Sequence, residues 1–409
     1  MDNVMLEKYA RLIVKIGVNI QKGQTLVVSS PIEAAEFTRL IAKTAYLEGA
    51  KDVVINWTDE LFSKIRYMHA PGEIFDTFPE WRKQLYMSYA AEKAAFLSIY
   101  AEDPELMKDV EPDRMIRAHK ASSTALKEYR RMQMNNELVW CVASIPTKAW
   151  ARSVFPNCGE DQAVEKLWEA IFKTVRADQT DPVAAWEEHK SNLKKSMDFM
   201  NSNKFKYLQY KNSAGTDLKI ELPEDHLWVG GSDYTNYGIE FIANMPTEEV
   251  FTLPKRSGVN GKVVSSKPLN YNGNLIDKFS LTFKDGKVVD FSAEKGYDTL
   301  RMLLEADEGS RYLGEVALVP YDSPISKSNI LFYNTLFDEN ASCHLALGKA
   351  YTPCLKNGDK LTEEELKKLE VNDSLIHEDF MVGTEDMEIT GITADGKEVP
   401  VFRKGNFAF

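Results

Sequence analysis

Four cysteines in 409 residues, none of them in a CxxC pair, leave no material for a disulfide framework or a structural zinc knuckle. No apolar run approaches the roughly 20 residues that a helix needs to cross a bilayer. The acidic start Met1-Asp2-Asn3-Val4-Met5-Leu6-Glu7 passes straight into an amphipathic pattern, unlike a secretory signal. Basic residues are in deficit: 50 Lys and Arg stand against 62 Asp and Glu, a formal charge of −12. That balance disfavours nucleic acids and anionic membranes as partners, because both are held through basic surface. The most basic stretch, Arg114 to Arg131, is interleaved with Ala, Ser and Glu and reads as a solvated helical face. Neither GxGxxG nor GxxxxGK(S/T) occurs, which removes the common phosphate cradles, and HExxH is absent as well. Together these absences point to a cytoplasmic protein without a nucleotide site.

What is present is a globular composition, 44% hydrophobic and 27% charged, in a chain long enough for two cores. Leu6, Tyr9, Ala10, Ile13, Val14 and Gly17 recur at helical spacing. Thr25 to Ser29 reads as a buried strand, and Ser30-Pro31-Ile32-Glu33 as a helix start with a capping box. Phe37, Leu40, Ile41 and Ala45 give that helix its apolar face, and Gly49 ends it. Val53 to Trp57, Phe96 to Tyr100 and Leu138 to Val142 repeat the continuous apolar strand between helical segments. Such alternation predicts an α/β domain with a mostly parallel sheet covered on both faces. A long helix opens at Asp181-Pro182 and runs to about Met200, after which the character changes. Tyr207 to Leu222 reads as a hairpin, as does Leu281 to Phe291 with its Lys284-Asp285-Gly286-Lys287 turn, and Ala394-Asp395-Gly396-Lys397 marks another. A helix is expected around Tyr297 to Glu305. The organisation predicted is an N-terminal α/β domain over 1–185 and an α+β domain with mixed or antiparallel strands over 186–409.

Candidate chemistry concentrates in this second half. Only six histidines occur in the chain. His377 and Asp379 lie in an expected strand from Ser374 to Met381, where alternate side chains share a face about 7 Å apart. The bland reading of the pair is a histidine bonded to a surface acid. His344 sits in the apolar run Cys343-His344-Leu345-Ala346-Leu347, where a lone imidazole is ordinarily a packed core residue. Glu339, five residues earlier, is a further carboxylate within reach. Glu315 interrupts the buried strand Leu313 to Val319, and an ionised acid there needs a cation, either arginine or a metal. Glu248 and Glu249 abut the apolar strand Val250 to Leu253. Carboxylates with a minority of histidines suit a pair of divalent ions, with one carboxylate bridging them at about 3.5–4 Å. Tyr351 offers a phenol able to donate to a developing oxyanion or to pass on a proton.

The segments Met245-Pro246-Thr247-Glu248-Glu249-Val250-Phe251-Thr252, Leu313 to Val319, Glu339 to Gly348 and His377-Glu378-Asp379-Phe380-Met381 closely resemble the aminopeptidase T/aminopeptidase S (PepS-like) family of co-catalytic metallopeptidases. Asn19 to Gln24 extends the likeness, which covers nearly the whole chain. The resemblance implies a metal-dependent exopeptidase that acts on short peptides at their free N-termini. It implies ions held by Glu249, Glu315, His344, His377 and Asp379, with Tyr351 beside them and Glu339 at a further motif position; zinc, cobalt and manganese all tolerate such mixed N/O ligands. It also implies a homodimer that encloses the active sites. On this reading Glu315 bridges the ions, and Glu248 anchors the substrate amine or serves as base. The alternatives are a di-metal phosphoesterase or amidohydrolase, and a non-catalytic metal-binding scaffold.

Overall fold

The computed structural model describes residues 3–101, 103, 105–271 and 274–409, so the first two residues of the acidic start lie outside it. The chain forms two compact units, one of Met1–Glu188 with Ser232–Pro246, the other of His189–Gly231 with Thr247–Phe409. A single cut at 185/186 misses the return of the chain to the first unit. The reason is a fifth strand: Asn244–Met245 pairs with Val139–Ser144 in the first unit's sheet. Two residues are too short to register as an apolar run, so the sequence pattern could not reveal them.

The first unit holds five parallel strands in the order Asn244–Met245, Val139–Ser144, Ala95–Tyr100, Thr25–Pro31 and Asp52–Thr58. Leu26, Val27 and Val28 are all buried, as expected where both sheet faces are covered. One local expectation gives way. The first strand runs through Pro31, a short 3-10 turn covers Ile32–Ala34, and the α-helix begins only at Ala35. Ser29, Ser30 and Pro31 are held extended by pairing with Asn56, Trp57 and Thr58, so Ser30 cannot adopt the capping position. Its hydroxyl lies 2.7 Å from that of Thr38 instead, and no capping box forms with Glu33. The basic stretch is solvated along the Pro112–Ala125 helix, which buries none of its residues, but Tyr129 in the following Lys127–Met134 helix is buried in an apolar cluster.

The second unit contains two antiparallel sheets. The larger has nine strands and includes the expected hairpins at 207–221, 274–295 and 388–403. Asp285 and Gly286 both have positive φ, as the tight turn between Lys284 and Lys287 requires. The smaller sheet has five strands ordered His377–Met381, His344–Gly348, Leu313–Leu318, Val250–Thr252 and Val229–Gly230. Val250, Val316, Leu318, Leu345, Leu347 and Phe380 from the smaller sheet share one apolar cluster with Leu208, Tyr210, Ile220, Phe279 and Leu281 from the larger. Fully burying each such leucine contributes about 1.5–3 kcal/mol, so this packing fixes where the smaller sheet's other face points.

Candidate metal centre

Directly opposed residues in an antiparallel sheet share a face, so the pairing register of the five-stranded sheet maps its surface. Met381, His344, Ala317, Phe251 and Val229 form one cross-strand row. Asp379, Ala346 and Glu315 form the next, and His377 opposes Gly348 beyond it. The residues between them, Leu345, Leu347, Val316 and Phe380, turn into the core. This resolves the apolar setting of His344: its sequence neighbours face the opposite way, and Ala346, which shares its face, is small. Gly348 has φ near 104°, and a Cβ there would stand 2.2 Å from the Ile376 carbonyl oxygen. Only glycine lets the His344 strand pass this close to the backbone leading into His377.

Five of the expected residues converge. His344 Nε2 lies 3.1 Å from Glu249 Oε2, 3.5 Å from Glu315 Oε1 and 3.9 Å from Asp379 Oδ1. His377 Nε2 lies 3.6 Å from Glu315 Oε2 and 3.5 Å from Asp379 Oδ1. Two groups have ligand atoms all within 4.8 Å of one another: Glu249, Glu315 and His344 in one, Glu315, His377 and Asp379 in the other. Glu315 belongs to both.

The hydrogen bonding around the imidazoles fits ligation. His377 Nδ1 is 2.7 Å from the Lys349 carbonyl oxygen, and His344 Nδ1 is 3.2 Å from that of Ser342. A carbonyl can only accept, so each Nδ1 carries a proton, and each ring would offer its Nε2 lone pair to a cation once the proton on Nε2 is displaced. Glu249 Oε2 and Asp379 Oδ1 are buried without a hydrogen-bond partner, although both lie near an imidazole. Contact distance without hydrogen-bond geometry is what atoms aimed at a common cation would show. The residues therefore fit a divalent metal.

Electrostatics in the ion-free cluster point the same way. Burial, reinforced by Asp379 and Glu249, pushes the Glu315 carboxyl up to about 7 against the opposing pull of the histidines. Burial and the charges of Glu249 and Asp379 also hold Glu339 well above the carboxylate range. Burial alone would lower His377, but Asp379 and Glu315 outweigh it and push it up to about 10. His344 is likewise raised, its burial overcome by Glu249 and Glu315. A cation among these groups would relieve the crowding of carboxylates.

The remaining expected residues take up distinct positions. Glu339 belongs to neither group of three, yet its carboxyl is close enough to feel the charges of Glu249, Asp379, His344 and Glu315. The Tyr351 ring lies 4.6 Å from that of His377. Burial, then the charges of Glu315, Asp379, Glu339 and Glu249, keep its phenol protonated far above the ordinary range. Glu248 is buried with Oε2 at 3.7 Å from His189 Nε2, and its backbone N–H donates to Asn340 Oδ1 at 2.7 Å.

Sequence reasoning missed the groups that hold this constellation. His189 bonds the Thr247 carbonyl at 2.8 Å. The Asn372 amide donates to the Gly309 and Gly348 carbonyls, and its Oδ1 accepts from Arg256 Nε. Asp307 accepts from the Ser374 hydroxyl and from the N–H groups of Ser310 and Leu375, pinning the approach to His377. Nothing local distinguishes these residues, since each acts across a long sequence separation. Asn340 alone lay inside a motif already singled out.

A buried set of imidazoles and carboxylates gathered on one sheet face is a candidate site for divalent metal. The chain matches the thermophilic metalloprotease (M29) family over residues 2–407 and belongs to that family. It is 54% identical over 404 residues to Aminopeptidase 2 of Geobacillus stearothermophilus, covering 99% of this chain and 98% of that protein. It is 50% identical over the same length to Aminopeptidase AmpS of Bacillus subtilis strain 168, with the same coverage. The solved structure of wild-type AmpT from Thermus thermophilus superposes with a TM-score of 0.94 at 40% identity, covering 100% of both chains. The α/β domain and the antiparallel domain are thus those of the aminopeptidase T/aminopeptidase S group, and the protein is a metalloprotease.

Proposed function

We propose that this protein is an aminopeptidase that removes the N-terminal residue of short peptides at a site holding two divalent ions. The observation that carries the reading is the sharing of Glu315 between two groups of potential ligands on one sheet face. Charge supports the number: Glu249, Glu315, Glu339 and Asp379 bring four negative charges beside two imidazoles, and with the imidazoles neutral, two divalent cations balance them. Glu249 and His344 would hold one ion, His377 and Asp379 the other, with Glu315 between and Glu339 as a further ligand. Zinc, cobalt and manganese all accept such mixed N/O donors. Bound ions of this kind supply a water of lowered pKa and polarise a peptide carbonyl.

The chain's own residues do the rest. The Lys349 and Ser342 carbonyls fix the imidazole tautomers. Ala346 and Gly348, which lie on this face between the ligands, carry no more than a methyl group. Tyr351 retains its proton at catalytic pH and can donate it to the oxyanion that develops on the substrate carbonyl. Glu248 stays a proposed amine anchor or base, supported by its burial beside Glu249 and by the proximity of His189.

Two further readings belong here. The homodimer is supported by the Glu60–His69 helix, which buries none of its residues and exposes Leu61, Phe62, Ile65 and Met68. A cytoplasmic location is supported by four free cysteines; among the described residues no helix is long and apolar enough to cross a membrane.

Hydrolysis of amino-acid p-nitroanilides, set against phosphate esters and measured with and without a chelator, tests the function. Cleavage of the anilides that is lost on chelation and regained with divalent metal is expected. Glu315→Gln should abolish it while leaving the circular dichroism spectrum intact. Chelator-insensitive activity, or full turnover in that variant, would overturn the two-ion reading.

A further inference from the structure

The sheet face that carries the candidate ligands does not end with them. The row Met381, His344, Ala317, Phe251, Val229 crosses all five strands. On the strands of Glu315, His344 and His377 this face is acidic and basic. On the two remaining strands it becomes apolar, through Phe251 and Val229. Phe251 is the middle residue of the Val250–Thr252 strand, and Glu249 immediately precedes that strand. Its ring meets that of Tyr351 edge-on at 6.3 Å, and Tyr351 in turn contacts His377. Val229, Phe251, Tyr351 and Leu366 are only partly buried, against fully buried Leu253, Ala350 and Leu355. Ala317, between His344 and Phe251, contributes a single methyl. A shallow apolar surface therefore adjoins the ligands without a step in the backbone.

We propose that this apolar half, centred on Phe251, receives the side chain of the substrate's N-terminal residue and makes the enzyme favour large apolar side chains over small or acidic ones. The inference rests on the aminopeptidase reading. In an N-terminal residue the amine, the scissile carbonyl and the side chain all branch from one α-carbon. With amine and carbonyl at the ligands, the side chain falls on the neighbouring surface of the sheet. An apolar side chain there gains by leaving water. An acidic one finds no donor in Phe251 or Val229 and would lose hydration there without a hydrogen bond in return. Phe251 is a specificity residue in this scheme and takes no part in bond cleavage.

The experiment compares leucine and alanine p-nitroanilides on the metal-loaded enzyme and its Phe251→Ala and Phe251→Leu variants. Wild type is expected to favour leucine. Phe251→Ala should cut the leucine-to-alanine ratio of kcat/KM by about tenfold, the scale on which apolar pockets discriminate, whereas Phe251→Leu should stay within about threefold of wild type. Bound metal, measured alongside, should match in all three. An equal fall on both substrates, or an unchanged ratio, would overturn the assignment. A second reading needs no variant: along the alanine, norvaline and norleucine anilides, wild-type kcat/KM should rise about three- to fourfold per methylene, and a flat series would sink the proposal. Loss of all anilide cleavage in wild type would instead refute the aminopeptidase reading beneath it.

Discussion

Ala346 is the most exacting test of the site because it is not itself a ligand. It is fully buried, and its cross-strand partners are Glu315 on one side and Asp379 on the other. Opposed Cβ atoms in such a sheet are about 4.5–5.5 Å apart, so the Ala346 methyl sits between two carboxylates of the proposed ion site. Ala346→Leu adds three carbons on that face. The backbone cannot yield, because Leu345 and Leu347 lock it into the core from the other side. The added atoms must push Glu315 and Asp379 apart, and a displacement of about 1 Å at a reacting centre costs on the order of 10²-fold in rate. That is about 2.7 kcal/mol of transition-state stabilisation. Overpacking should also lower folding stability by about 1–3 kcal/mol. The assay is kcat/KM on leucine p-nitroanilide together with bound metal per chain, and Ala346→Gly serves as the control. The glycine variant should lose about 0.5–1 kcal/mol of stability yet keep its metal. If the leucine variant kept full metal and activity within twofold of wild type, Ala346 would not lie between the working carboxylates, and the face would have been misassigned.

Tyr351→Phe keeps the ring contact with His377 but removes the hydroxyl. It should lower kcat by about 10²–10³-fold, the usual cost of one oxyanion donor, with bound metal unchanged; unaltered kcat would exclude proton donation by this phenol. Asp307 gives a pH signature away from the ligands. Burial would raise its carboxyl, but the N–H groups of Leu375 and Ser310 and the Ser374 hydroxyl outweigh that and hold it below the ordinary value. A depressed pKa in the folded state means stabilisation that is full above the unfolded value of about 3.9 and is lost as pH falls through the folded pKa. Asp307→Asn should therefore flatten the acid limb of a Tm-against-pH curve, and an unchanged limb would show that the bonds to Asp307 carry no net stabilisation.

The legibility of this molecule in its sequence followed the range of each interaction. Hairpins at Lys284 to Lys287 and Ala394 to Lys397 were readable because turn chemistry is local. The parallel sheet was readable because strands buried on both faces leave continuous apolar runs. His377 and Asp379 could be paired from strand periodicity alone. Glu249, Glu315 and His344 could not be joined to them by spacing, since they meet only through the register of separate strands; the family resemblance joined them instead. Ser30 shows the converse failure, where a local capping signal lost to strand pairing with Trp57. His189, Asn372 and Asp307 left no trace at all, being ordinary polar residues whose partners lie far along the chain.

The period of two in a β-strand accounts for how one small sheet meets two opposed demands. Leu345, Leu347, Val316 and Phe380 pack into the core, while the proposed ligands His344, Glu315, His377 and Asp379 carry polar groups on the opposite face. Alternation places the two sets back to back, one residue apart, so the packing that stabilises the unit also fixes the ligand positions. The same arrangement binds metal capture to folding. Of the candidate ligands, only His377 and Asp379 are near neighbours in sequence with a shared strand; the others are scattered from 249 to 344. An unfolded chain has no comparable cluster to offer an ion, so the ion binds the folded state almost alone. Stability then rises with free metal as RT ln(1 + [L]/Kd), about 2.7 kcal/mol at one hundred times Kd. The charged face, which would weaken the fold if left without cations, thus becomes a source of its stability once they are bound.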